Sequence, residues 1–476
     1  MRYTTTCSIK VKYARQISTF CQRVLFPKSV LLGFIGLLIY GAFPGVAMAL
    51  ESGELGMAQA VQLAVEHSQD LKAAHKSVRY SSLSMEKEKN DYLPQVTGTL
   101  DNRVTSNYGD SRAERDAYSS NVGVAISLNL FKGFADEASL ESARQELSSS
   151  AYTALRQEQQ VIFDTASAYL NVVKQSKAID IATQNLVYNR QKEKQIKAFY
   201  DAGKIPVTDL YQQRAETADA TSELITARNT LKKGWLELAN LMGTEDFNRA
   251  GIQMPAIDIA AVAGEINNNS LIRIALTTRP DLLALEKNIA AKQAGIREAQ
   301  SGKYPSVDLN AGVADYYAYQ HEKDSGMGSG GGNLNSYVGV TVSVPLFDKH
   351  LTRTRTEQAR IDKQTAVLFL EKLKEQIRLE LGEAVADYKS ACETINATKT
   401  RRLYAEKALE SAKQRYRVGK SGLTELIQMR SDLVEADNNL IEAQINQLLK
   451  IVSIFFYRGD LGLSHLLLHQ VGEKLS

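Results

Sequence analysis

Two histidines, His465 and His469, stand four apart in HLLLH, a spacing that puts both imidazoles on one helix face, as metal ligands require. A metal centre needs further donors, and no acid or thiol adjoins the pair, so metal binding is not expected of it. The glycine run Gly328 to Gly332 lacks the lysine and the following helix of a phosphate loop, and flexibility is its simpler role. No nucleophile is paired with a base. The sequence therefore presents no enzyme site and calls for no cofactor or metal.

The elements around these residues have another purpose. Residues 1–49 carry Arg2, Lys10, Lys12, Arg15, Arg23 and Lys28 with no acid, then an apolar run from Val30 to Tyr40, then Ala47-Met48-Ala49. That order predicts a secretory signal peptide cut near Ala49. A membrane anchor is the competing reading, but the apolar run has 11 residues and is broken at its end by Gly41, Pro44 and Gly45, short of the roughly 20 that a span needs. Taking those six basic residues from the formal net charge of +3 leaves −3, which excludes a basic surface for nucleic acid. Cys7 and Cys21 leave with the leader, so Cys392 has no disulfide partner and packing must supply stability. At 44% hydrophobic and 23% charged the chain is too apolar for a disordered one.

An internal repeat organises the rest. Val122-Gly123-Val124 matches Val338-Gly339-Val340, Leu130-Phe131 matches Leu346-Phe347, and Gly203-Lys204 with Thr208-Asp209-Leu210 matches Gly419-Lys420 with Thr424-Glu425-Leu426, each pair 216 residues apart. Pro94 and Pro305 are offset by 211, which places a five-residue insertion in the glycine-rich stretch before Val338, where a hairpin loop tolerates it. Proline is expelled from helix interiors, and two long stretches lack it: Phe134 to Tyr200, 67 residues, and Lys349 to Arg417, 69 residues. As helices each would be ~100 Å long. Leu370, Leu373, Ile377, Leu381, Ala384, Tyr388, Ala391 and Ile395 recur at steps of three and four, a coiled-coil seam. Shorter helices are expected over Met57 to Asn90, Leu210 to Leu241, Leu271 to Lys303 and Leu423 to Tyr457. Two of them end to end match one long helix in length.

Strands interrupt this pattern. In Asn121 to Leu130, Val122, Val124, Ile126, Leu128 and Leu130 alternate with Asn121, Gly123, Ala125, Ser127 and Asn129. In Tyr337 to His350, Val338, Val340, Val342 and Val344 alternate with Gly339, Thr341 and Ser343, and Val307, Leu309, Ala311 and Val313 oppose Asp308, Asn310 and Gly312. Ten alternating residues fit a tilted strand crossing a bilayer. They also fit half-buried strands in a soluble α+β domain. Tyr316, Tyr317 and Tyr319, with Tyr108 and Tyr118, are expected to form an interfacial girdle. Four strands cannot close a barrel and open edges are not tolerated in lipid, so a membrane reading requires association, and a trimer gives twelve strands.

The duplicated helix-strand-strand-helix order, the LNLFKG and VPLFDK corners, and the AGKIPVTDL and VGKSGLTEL turns resemble the TolC-like outer-membrane efflux protein family over about residues 55 to 460. The resemblance implies a mainly α fold with a membrane β-barrel. It implies a homotrimer in the outer membrane of a Gram-negative bacterium, with a 12-stranded barrel continuous with a long α-helical coiled-coil tunnel in the periplasm. Val124, Ile126, Leu128, Val338, Val340 and Val342 would then face lipid. It further implies a passive conduit for efflux or type I secretion, opened by a periplasmic adaptor protein and an inner-membrane transporter whose class the sequence does not specify.

On this resemblance the turns are periplasmic tips. Gly203, Lys204, Gly419 and Lys420 would dock the adaptor, and Asp209, Tyr416, Glu425 and Gln428 would form the gate. Gln428 stands where the family's best-known member has a second acid, and Ser421 where it has an arginine, which implies a weaker acidic ring and a different lock. Asp209 has a second reading as a solvated acid near a helix start. The implied divisions are 1–49 signal peptide, 50–243 first repeat, 244–269 linker in an equatorial belt, 270–457 second repeat and 458–476 tail. The alternative is a soluble periplasmic coiled-coil scaffold or adaptor, against which the duplicated hairpins and amphipathic strand pairs both argue.

Overall fold

A computed structural model describes residues 54–107, 115–244, 251–255, 267–322 and 328–460. The expected signal peptide, Tyr108 and the HLLLH histidines lie outside the described residues.

Two helices of 67 residues dominate, α3 (Ala135–Asp201) and α7 (Leu351–Arg417), each paired by a short turn with a 36-residue helix, α4 (Val207–Met242) and α8 (Leu423–Arg458). The long helices thus run where proline is absent, within two residues of the expected bounds. Each starts at a corner of two left-handed residues, Gly133-Phe134 and Lys349-His350. At the first corner only glycine fits, since a β-carbon on Gly133 would lie 2.5 Å from the Ser301 carbonyl oxygen.

The expected single helices Met57 to Asn90 and Leu271 to Lys303 are each two helices. The first divides into α1 (Met57–His67) and α2 (Gln69–Asn90), the second into α5 (Asn268–Thr278) and α6 (Pro280–Gln300), which a 3₁₀ turn (Ser301–Lys303) follows. Ser68 breaks the first because its hydroxyl accepts from the Leu71 amide at 3.2 Å and caps the next helix. Pro280 breaks the second by occupying the first helical position and forcing Arg279 into an extended conformation.

Four strands, β2 (Gln95–Asn107), β3 (Arg115–Lys132), β5 (Ser306–Glu322) and β6 (Gly328–Ser343), form one antiparallel sheet in that order. The register places Val124 opposite Val313, Ile126 opposite Ala311 and Val96, Leu128 opposite Leu309, and Val338, Val340 and Val342 opposite Ala311, Leu309 and Val307. Residues directly opposite share a face, so these side chains form one apolar surface four strands wide. It is open: Val338 is 80% exposed. Ser127, Asn310, Gly339 and Thr341 lie on the other face.

Three strand expectations change. A bulge between Asn129 and Phe131 takes Leu130 out of the alternation and gives its place, opposite Val307, to Phe131. β6 stops at Ser343, so Val344 lies beyond it, ahead of Pro345, which cannot donate to a ladder. At its other end β6 takes in Gly328 to Gly332, expected as a loop, because Gly330 and Gly332 pair with Tyr319 and Tyr317. The tyrosines divide as well. Tyr118, Tyr317 and Tyr319 sit on the apolar face, while Tyr316 opposes Asn121 and Asn333 on the polar one.

The main apolar core lies midway along the long helices, around Tyr169, Leu238, Leu282, Ile377, Leu381 and Ile451. The coiled-coil seam contributes Ile377, Leu381, Ala384 and Tyr388 to it, with Leu370 and Leu373 packed half-buried against it, and Ala391 and Ile395 are buried farther along α7. Tyr169, 0% exposed, donates its hydroxyl toward the Leu55 and Gln253 carbonyls at 2.8 and 2.7 Å. It thereby fixes the small parallel pair β1 (Glu54–Leu55) and β4 (Gly251–Ile252) against α3.

Candidate functional site

The far ends of the two helical hairpins are built alike. Gly203 and Gly419 have φ of 69° and 72°, and the next amides, Lys204 and Lys420, donate back to the Phe199 and Arg415 carbonyls, 2.9 Å each. These six-to-one bonds end α3 and α7 in left-handed caps. A β-carbon on either glycine would meet nothing within 4 Å, so backbone conformation alone selects glycine. The side chains of Lys204 and Lys420 are exposed.

Asp209 and Glu425 fall in the first turns of α4 and α8, where the helix dipole favours acids. Their surroundings differ. Glu425 accepts from Arg415 and, at 2.6 Å, from the Ser421 hydroxyl, so its charge is tied to its own hairpin. Asp209 lies near Tyr416: burial raises the Tyr416 phenol above its ordinary value and the Asp209 carboxylate adds to the rise, yet no hydrogen bond joins the two within the chain. Gln428 is exposed and donates to Asp432 at 2.9 Å, while the Thr424 hydroxyl donates to Gln212 at 3.4 Å, linking the two hairpins. Ile196, Leu210 and Leu423 form a small apolar cluster across the hairpins, with Ile205, Ile427 and Tyr416 at its margin.

Sequence spacing gave no sign of the cations here. Lys192 lies 4.2 Å above the Tyr416 ring and Arg430 lies 4.7 Å from the centre of the Tyr188 ring. Tyr188 and Lys192 are visible as a tyrosine and a lysine four apart on α3, but their partners are more than 200 residues away.

Midway along the helices sits a buried ionic joint. Arg279, 2% exposed, donates to Asp281 at 3.0 and 2.6 Å and to Glu380 at 2.7 Å. Arg156 stacks 3.9 Å from the Phe456 ring centre and donates to the Phe456 carbonyl; burial and the neighbouring Arg279 push it down to about 10. This joint fastens α3, α6, α7 and α8 and resembles no catalytic arrangement. Among the described residues no helix is long and apolar enough to cross a membrane, and no group of acids, histidines or cysteines is placed to hold a metal.

The model of a family described as "Outer membrane efflux protein" matches residues 60–244 and 271–459. Outer membrane protein TolC of Escherichia coli strain K12 is 25% identical over 329 residues, covering 65% of this chain, and the chain spans 63% of that protein's length. Protein CyaE of Bordetella pertussis is 24% identical over 436 residues, 86% of this chain and 85% of its own length. Among solved structures, the outer-membrane channel OprN superposes with a TM-score of 0.71 at 20% identity, covering 85% of this chain and 89% of OprN.

Proposed function

The chain belongs to the outer membrane efflux protein family, a family of channels and not of enzymes, and on that premise we propose that three copies form a conduit across the outer membrane. The observation that carries this is the four-stranded sheet. Its apolar face is open and both edge strands, β2 and β6, lack an outer partner among the described residues. In hydrocarbon unpaired backbone is prohibitive, and twelve strands from three copies close the ring. From Tyr118 to Leu128 the apolar face of β3 runs ten residue steps, ~34 Å, or ~24 Å in height at a tilt of ~45°, matching the lipid-facing band of such barrels.

On this reading the leader is removed after Ala49, and the lipid of the outer membrane meets Val124, Ile126, Leu128, Val338, Val340 and Val342. The helices enclose a water-filled tunnel in the periplasm. The tips carry the gate, at Asp209, Tyr416, Glu425 and Gln428. An adaptor protein linked to an inner-membrane transporter docks on the turns of Gly203, Lys204, Gly419 and Lys420. The two similar turns give such an adaptor six near-equivalent positions per trimer. Specificity for cargo then rests with the transporter, since a water-filled tunnel need not bind what passes.

Outer-membrane fractions run on gels without boiling test the reading. A band at three times the chain mass that collapses on heating, together with stepwise conductance in planar bilayers, is the expected result. Recovery of a soluble periplasmic monomer would instead establish the scaffold or adaptor alternative.

A further inference from the structure

The contacts between the two hairpins of one chain are uneven along their length. Midway they share the main core; toward the tip the hairpin α3–α4 keeps its own small cluster of Ala182, Leu186, Ala220 and Leu224, and α7–α8 keeps Leu409, Ala412, Leu426 and Leu433. Between them lies a polar cleft of about 480 Å³ whose lining includes Asn185, Asn189, Gln213, Glu216 and Ser431. Near the tip the apolar contact between the hairpins is the small cluster of Ile196, Leu210 and Leu423 with Tyr416 at its margin, far less than the main core supplies midway, and a region with fewer buried apolar contacts separates at lower cost.

Two crossed pairs span the cleft. Lys192 of α3 sits on Tyr416 of α7, and Arg430 of α8 sits beside Tyr188 of α3. Each hairpin thus gives one cation and one aromatic face to the other, and on α3 the two contributors are a single turn apart. Arg430 also donates to Asn185 at 3.2 Å, and Lys413 stands 6.0 Å from the Tyr188 ring. Burial lowers Lys192 and Arg430 from their ordinary values and strips water from both cations, a setting in which attraction to an aromatic face is strongest.

We infer that Tyr188, Lys192, Tyr416 and Arg430 form a crossed cation–π clasp that holds the two hairpins of one chain together at the tip and parts when the channel mouth widens. The inference rests on the channel reading above. It places the restraint on ring faces and cations within one chain, whereas a lock through the Tyr416 hydroxyl would depend on a donated proton. The two separate by substitution.

The test uses the full-length protein in planar bilayers, with trimers in the outer membrane as the control for folding. Lys192→Met and Tyr188→Leu remove a cation and a ring face and are expected to raise the open fraction roughly tenfold, the ratio that ~1.4 kcal/mol represents. Lys192→Arg and Tyr188→Phe keep them and are expected to conduct as the wild type does. Arg430→Gln retains a hydrogen-bond donor and the packing, so it carries the test if Tyr188→Leu yields no trimer. Wild-type conductance in Lys192→Met and Arg430→Gln overturns the clasp, as does a Tyr188→Phe variant as open as Tyr188→Leu. If Tyr416→Phe opens while the clasp variants stay closed, the clasp falls and the channel reading stands. A wild-type chain that forms no conducting trimer removes both.

Discussion

Glu425 and Asp281 are both carboxylates bound to an arginine, and their surroundings give them opposite uses. Glu425 lies at the exposed tip, where its pair with Arg415 contributes little to stability and its charge mainly sets the local potential. Glu425→Gln leaves Arg415 uncompensated in each copy, so reversal potentials under a salt gradient should shift toward anions while trimer yield holds; an unchanged potential would remove Glu425 from the conduction path. Asp281 is buried enough that desolvation alone would raise it, but the hydrogen bonds and charge of Arg279, with help from Arg156 and the Leu282 amide, hold it below the ordinary carboxylate value. A depressed carboxylate contributes stability that is fully present above its unfolded value near pH 4 and is lost as pH falls through its folded value. Thermal unfolding should therefore show a drop in melting temperature below about pH 4 that is smaller in Asp281→Asn, the variant being less stable than wild type at pH 7 and the gap closing in acid.

Among the elements, the hairpin turns and the strands make separate predictions. Gly203→Val forces a β-branched residue into the left-handed region at a cost of roughly 1–2 kcal/mol without a steric clash. It should distort the tip and abolish transporter-dependent export while outer-membrane trimers persist, whereas Gly203→Asn, which tolerates that conformation, should retain export. In the sheet, Val124→Arg or Val340→Arg puts a charge on the apolar face at ~2–4 kcal/mol near the midplane and should block assembly. Ser127→Arg and Ser343→Arg, on the polar face, should assemble and lower conductance; equal damage on both faces would show that neither meets lipid. The faces were legible because the period of two was unbroken by charge, and the long helices because proline was missing between Phe134 and Tyr200 and between Lys349 and Arg417. The Leu130 bulge was not legible, since one extra residue leaves no compositional trace. Pro280 was visible but permits a helix to begin as readily as it forbids one to continue, and glycines in a strand carry the same signature as glycines in a loop. The cation–π pairs at the tip depend on side chains distant in sequence, which no local period records.

For the whole molecule, the repeat explains the count of elements: two helix-strand-strand-helix units give four strands and two hairpins of equal length, which on the trimer proposed above is a third of a ring. The strands within a unit are close in sequence, but the central pair of the sheet is not. Arg115 pairs with Glu322 and Lys132 with Ser306, so β3 and β5 come together across 173 to 206 intervening residues. Closing a loop of that size costs entropy before any pairing rewards it, and sheets with such distant partners form slowly. Each helical hairpin, by contrast, pairs neighbours across a turn of five residues. During biogenesis the hairpins are therefore able to fold while the sheet is still two separate ribbons, each too small to be stable alone. Completion of the sheet then waits on β5 and β6, so no continuous greasy surface can appear until the first helical hairpin and the link between the two units have been made.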